Sequence, residues 1–126
     1  MTSFRLTTLA ALVAAVLAVA VTPATAKDGD AVRVRGACTQ ASTAKLKLSR
    51  DDGRIETEFE VDQNRNGVRW NVTFWRNGVR VAATTATTRA PSGSFEVRRY
   101  LAGPSAQIKA VATRAGGERC TARAGV

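Results

Sequence analysis

Histidine is absent from this chain. Without an imidazole there is no Ser-His-Asp or Cys-His nucleophile system, and the usual zinc ligand sets cannot be assembled. Cysteine is limited to Cys38 and Cys120, and the aromatics to four Phe, two Trp and one Tyr. With Leu and Ile also scarce, the core should be thin. Acidic residues nearly vanish from the second half. Residues 63–126 hold only Glu96 and Glu118 against 11 Lys and Arg, net +9, whereas residues 27–62 hold 7 basic and 8 acidic residues, net −1. No apolar run reaches the ~18 residues expected of a membrane span.

The one sizeable apolar run, Leu9 to Val21, follows Arg5 and precedes Ala24-Thr25-Ala26. A positive n-region, a short apolar stretch and a small-residue A-x-A site read as a cleavable export signal. Residues 1–26 are therefore assigned to a signal peptide and residues 27–126 to one mature domain, with no membrane span after cleavage. Its 100 residues suit a single hydrophobic core. Export places Cys38 and Cys120 in an oxidising compartment, where an even pair is expected to form a disulfide. The bridge would close an 82-residue separation, worth about 4 kcal/mol in the chain-entropy model.

Period-2 alternation dominates the mature chain, and no long window repeats at 3.6 residues. Val32 and Val34 alternate with Arg33 and Arg35. Ala44, Leu46 and Leu48 alternate with Lys45 and Lys47. After Asp51-Asp52-Gly53, Ile55, Thr57, Phe59 and Val61 alternate with Glu56, Glu58 and Glu60. A two-residue Asp52-Gly53 loop sets Lys47 opposite Glu58, and a four-residue loop sets it opposite Glu56. Only even loops keep both apolar sets on one face. Val68, Trp70, Val72 and Phe74 share a face, with Arg69, Asn71, Thr73 and Trp75 on the other. Asn77-Gly78 is a strong hairpin signal, and Val79 and Val81 begin the return strand. Phe95 to Leu101, Ile108 to Ala112 and Cys120 to Ala124 complete the series, broken at Pro91-Ser92-Gly93, Gly103-Pro104 and Gly116-Gly117.

About seven or eight short antiparallel strands with turns every ten residues or so point to an all-β sandwich or barrel. Hairpin, crossover, hairpin, lone strand and terminal hairpin resemble the A–B, C–C′, E, F–G succession of immunoglobulin-like and fibronectin-type domains. That resemblance implies an immunoglobulin-like β-sandwich with Trp70 as its core tryptophan on strand C. The cysteines lie at the two ends, so they would pin the N-terminal strand to the last one in place of the usual B–F bridge. Asp62-Gln-Asn-Arg-Asn-Gly-Val-Arg-Trp70 and Arg89-Ala-Pro-Ser-Gly-Ser-Phe-Glu-Val97 are also similar to a family of small exported proteins of high-GC Gram-positive bacteria. This similarity implies a lineage and a compartment but no activity.

Candidate chemistry is sparse. Ser42-Thr43-Ala44-Lys45 fits a serine–lysine nucleophile motif, S-x-x-K, in a chain too short for that enzyme class. Glu56, Glu58 and Glu60 are spaced roughly 7 Å apart along a strand, within the carboxylate range of inverting glycosidases. A cross-strand charge ladder with Lys45 and Lys47 accounts for them better. Asp62-x-Asn64-x-Asn66-Gly67 opens like a calcium loop. The twelfth position is Thr73 instead of a bidentate Glu, and turn chemistry accounts for the same residues. These considerations argue against an enzyme and for no cofactor and no metal.

The basic half remains. On the immunoglobulin-like arrangement one outer sheet face collects Arg69, Trp75, Arg80, Lys109, Arg119 and Arg123. Arginine forks suit phosphate and sulfate, and an exposed indole can stack on a sugar or base. An ordinary solvated surface in an Arg-rich chain (15 Arg, 4 Lys) explains the abundance of arginine, and less well its segregation. The sequence therefore reads as a secreted, non-enzymatic binding module for an anionic polymer such as teichoic acid, acidic polysaccharide or extracellular nucleic acid. A second reading is a secreted protein-interaction module or small inhibitor presenting the Arg89–Ser94 loop. The sequence does not set the oligomeric state.

Overall fold

A computed structural model describes residues 31–126, so the signal-peptide assignment lies outside the described residues. Nine strands form: β1 (Val32–Arg35), β2 (Ala37–Cys38), β3 (Thr43–Asp51), β4 (Arg54–Asp62), β5 (Arg69–Arg76), β6 (Val79–Thr87), β7 (Ser94–Ala102), β8 (Gln107–Arg114) and β9 (Arg119–Gly125). They build two antiparallel sheets, ordered β1-β3-β4-β7 and β2-β9-β8-β5-β6. With β3 to β9 taken as strands A, B, C, C′, E, F and G, this is the expected immunoglobulin-like β-sandwich. Nine strands stand where about seven or eight were expected, because the N-terminal segment, read as one strand ending near Cys38, is divided between the sheets.

Gly36 makes that division. A Cβ there would lie 2.8 Å from the Thr121 carbonyl oxygen, 3.0 Å from Ala44 Cβ and 3.2 Å from Ala122 Cβ. Only glycine can cross between sheets at that separation. Before it, Val32 and Val34 oppose Leu48 and Leu46. After it, Cys38 faces Cys120 directly, and the disulfide forms across that pair.

The hairpin registers follow from turn chemistry. Asp51 opposes Arg54 across a two-residue loop, and Asp52 and Gly53 both have positive φ, 48° and 76°. This is the arrangement of a type I′ turn, which matches strand twist. The two-residue register is therefore the one adopted, and Lys47 opposes Glu58. Asn77 and Gly78 repeat the device between β5 and β6. That hairpin then slips: Phe74 opposes Ala82 but Trp75 opposes Arg80, leaving Val81 as an extra residue. The bulge turns Arg80 to the outer face, although Ala82, Thr84 and Ala86 point inward beyond it.

The core lies between the sheets. Phe59 meets Phe74 edge-on at 6.4 Å between ring centroids, and Trp70 packs on Phe95 at 6.0 Å. Trp70 is 0% exposed, and its indole N–H donates to Gln63 Oε1 at 3.0 Å. Its hydrogen-bonding need is thus met without leaving the core. Apart from Ile108, the inward apolar positions of β8 and β9 are small: Ala110, Ala112, Cys120, Ala122 and Ala124. The apolar stripes of β4 and β7 break at one cross-strand pair, Thr57 and Arg99. Thr57 is fully buried and its Oγ1 has no hydrogen-bond partner, while Arg99 is half-buried on the edge strand.

Trp70→Ala is expected to cost about 3–5 kcal/mol as a large-to-small core change, measured by urea unfolding. Cys38→Ala is expected to cost about 2–5 kcal/mol. Stoichiometric alkylation of the unreduced protein would contradict the bridge.

Candidate functional site

The outer face of the five-stranded sheet carries a continuous row. Arg80 on β6 opposes Trp75 on β5, Trp75 opposes Lys109 on β8, and Lys109 opposes Arg123 on β9. At ~4.8 Å per strand, the row spans about 14 Å across the sheet. Lys109 Nζ sits 4.2 Å from the Trp75 ring centroid. A cation over an indole face is attracted by the ring quadrupole, and Trp75 is half-buried where strand parity alone predicts exposure. A hollow of about 220 Å³ beside the row is lined by Trp75, Lys109, Arg123, Gly78, Gln107 and Ile108. None of Arg80, Lys109 and Arg123 pairs with a carboxylate among the described residues.

The remaining two candidates share the face but not the row. Arg119 opposes Thr113, four residues along β9 from Arg123, and Arg69 opposes Thr87 at the far end of β5. Between the two ends lie Asn71, Thr73, Thr85, Thr113 and Thr121. Val111 also points outward there, yet is only 6% exposed and gives the face an apolar floor.

The other sheet shows the opposite electrostatics. Arg33, Lys47, Glu58 and Arg98 form one cross-strand row, and Arg35, Lys45, Glu60 and Glu96 the next. Arg98 bridges Glu56, Glu58 and Glu96, and Lys47 reaches Glu58 at 3.7 Å. Glu56 and Glu58 are thus neutralised by ion pairs, and Glu60 stands opposite Lys45 in the same ladder.

Ser42, just before β3, is buried against Glu118, whereas Lys45 on β3 points out to solvent. The two cannot act as a nucleophile–base pair. In the candidate calcium loop, Asp62 Oδ1 accepts from Asn64 N at 2.9 Å, and Asn64 has φ 55°. The segment packs against Gly93, where a Cβ would meet Arg65 N at 2.2 Å, and Gln63 N donates to the Gly93 carbonyl. An Asx turn docked on a neighbouring loop accounts for Asp62, Asn64 and Asn66. The Arg89–Ser94 loop is a tight turn closed by an Arg89–Ser94 bridge and by Gly93 N donating to Arg89 O.

One functional-looking group was not anticipated. Glu118 is 1% exposed. Its carboxylate accepts from Ser42 N at 3.0 Å, Ser42 Oγ at 2.7 Å and Arg114 Nε at 3.2 Å. Burial opposes its ionisation, but the Ser42 hydrogen bonds and the Arg114 guanidinium outweigh that, holding the carboxyl below its ordinary range. Arg114 also donates to Gln40 Oε1 and the Ala115 carbonyl. The cluster ties the β2–β3 connection to the β8–β9 turn. Its sequence signal is parity, since Glu118 shares the inward stripe of Cys120, Ala122 and Ala124. Cys38, Cys120 and Glu118 bring metal-ligand atom types together, but the sulfurs are spent in the disulfide and the carboxylate on its three donors.

No protein-family model, curated protein or solved structure matches this chain.

Glu118 is ionised in the fold at neutral pH, with a folded-state pKa below the unfolded one. Its contribution is complete above the ordinary glutamate value of about 4.3, and it is lost as pH falls through the depressed value. Glu118→Gln should lower stability at pH 7 by about 2–4 kcal/mol and flatten the acid limb of a urea-midpoint profile. Parallel acid limbs in variant and parent would refute this role.

Proposed function

We propose that this chain is a secreted, non-enzymatic binding module that takes anionic polymers on the outer face of its five-stranded sheet. The observation that supports this reading is the Arg80–Trp75–Lys109–Arg123 row: three cations without carboxylate partners, aligned across four strands and interleaved with an indole. The polymer would run across the strands, with phosphate, sulfate or carboxylate groups meeting the arginine forks and a sugar or base against Trp75. Arg69 and Arg119 lie far enough along the sheet to meet a second stretch of a long polymer, or to contribute only to the general field.

Secretion is supported by the export-signal pattern and by the disulfide, a bond favoured in oxidising compartments. The segregation of charge supports a directional surface: the four-stranded face is compensated by its own glutamates, so an anion is steered to the other side.

Binding to immobilised heparin or teichoic acid should weaken steeply with added salt, as counterion release requires. Replacing Arg80, Lys109 and Arg123 together by glutamine should reduce affinity by about tenfold or more at low salt, while replacing Lys45 and Lys47 should have little effect. Equal losses from both sets would reduce the effect to net charge and refute a defined face.

A further inference from the structure

The two sides of the sandwich are unequal. One is sealed by β1, β2 and the disulfide. The other is bounded by two edge strands, β6 and β7, which leave a cleft of about 650 Å³ between them. Thr84–Thr87 of β6 form one wall, Ser94–Arg99 of β7 the other, and the Arg89–Ser94 bridge closes one end.

The edge strands differ in protection. On β7, Arg99 points inward, and the Arg98 and Ala102 carbonyls accept from the Arg99 and Arg76 side chains. An inward charge and occupied carbonyls block pairing. Strand β6 has neither device. It is nine residues long, without proline or acidic residues, and Val79 and Val81 are 64% and 44% exposed. Its bulge disturbs only the Arg80 end. Thr88 N donates to Val68 O. Alternation along an antiparallel ladder then directs the N–H groups of Ala83, Thr85 and Thr87 away from β5, toward the cleft.

Three cations, Arg89, Arg98 and Arg99, line the cleft against two carboxylates, Glu60 and Glu96, an excess of one positive charge. Arg98 is neutralised by three glutamates, but Arg89 has no acidic partner among the described residues, and Arg99 donates only to the Arg98 carbonyl. Behind Arg99, the buried Thr57 hydroxyl lacks a partner.

We propose that this open side is a docking groove for an extended segment of an acidic partner protein, which adds to β6 as a sixth strand and sets a carboxylate against Arg99. Backbone pairing supplies the attachment and the arginines select the sequence, the general logic of strand addition. A second copy of this chain is a poorer occupant: β6 offers no carboxylate to Arg99, and both copies carry the same excess of positive charge.

The test uses the oxidised mature protein and a fluorescein-labelled nine-residue peptide alternating Val and Glu, read by anisotropy. Saturable binding is expected, weakened about tenfold by Thr85→Pro, which removes one outward N–H, and unchanged by Thr85→Ala. A peptide N-methylated at its central residues should lose binding similarly, a readout that does not depend on any variant folding. Arg99→Gln and a Lys-for-Glu peptide should each bind more weakly. Lys109→Gln/Arg123→Gln should leave peptide binding intact while lowering heparin binding, which separates this groove from the sheet face. Absent peptide binding, or equal binding of the N-methylated peptide, would overturn the proposal. In the latter case the attraction is charge alone.

Discussion

At Gly36 the chain leaves one sheet and joins the other through a gap that admits no side-chain carbon. Everything on that side of the sandwich depends on the crossing. It lets four residues cover the edge of β3 and two more reach β9, where Cys38 meets Cys120. The disulfide and the buried Glu118–Ser42–Arg114 cluster lie on either side of the same short connection, residues 39–42. One fixes the strand covalently, and the other satisfies a carboxylate that would otherwise be costly to bury. The small residues on β8 and β9 fit this close approach, since alanines at 110, 112, 122 and 124 leave room for a strand to pass between sheets.

Sealing one side has a functional corollary on the faces. A five-stranded sheet with β8 at its centre presents a broad outer surface, and the hairpin bulge at Val81 aligns Arg80 with Trp75 instead of leaving it to follow Ala82 inward. Three cations of the second half of the chain, Arg80, Lys109 and Arg123, are thereby aligned in a row, while the lysines and glutamates of the first half are set against one another and against Arg98 across β3, β4 and β7. Exposed ion pairs of that kind contribute little stability. Their effect here is to leave one face nearly neutral, so that the field of the molecule has a direction.

The fold and the site differ in how far they could be read in advance. Alternation in the Lys45/Glu58 and Trp70/Phe74 segments specified strands, and Asp52-Gly53 and Asn77-Gly78 specified hairpins, because these are local properties of backbone and side-chain parity. The pairing of Cys38 with Cys120 followed from there being no other thiol. Glu118 and Arg99 escape a reading of the sequence for one reason: each sits on an inward stripe that otherwise reads apolar, and a charged side chain in such a stripe ordinarily means solvent. Trp75 was read as exposed by parity, which reports direction and not cover. Its cover is Lys109, 34 residues away in sequence.

The sequence by itself therefore determined the strands from Ala44 onward, the two tight hairpin turns and the disulfide. Each depends on residues adjacent in the chain, or on a pair without competitors. Only the tertiary structure decided that the first strand divides between the sheets, that Arg80, Trp75, Lys109 and Arg123 form one row while Arg69 and Arg119 stand apart, and that one side of the sandwich is closed and the other open. These outcomes depend on which strands become neighbours and on how closely the sheets approach. Both are set by the summed packing of Trp70, Phe59, Phe74 and Phe95, and period-2 alternation carries no information about either.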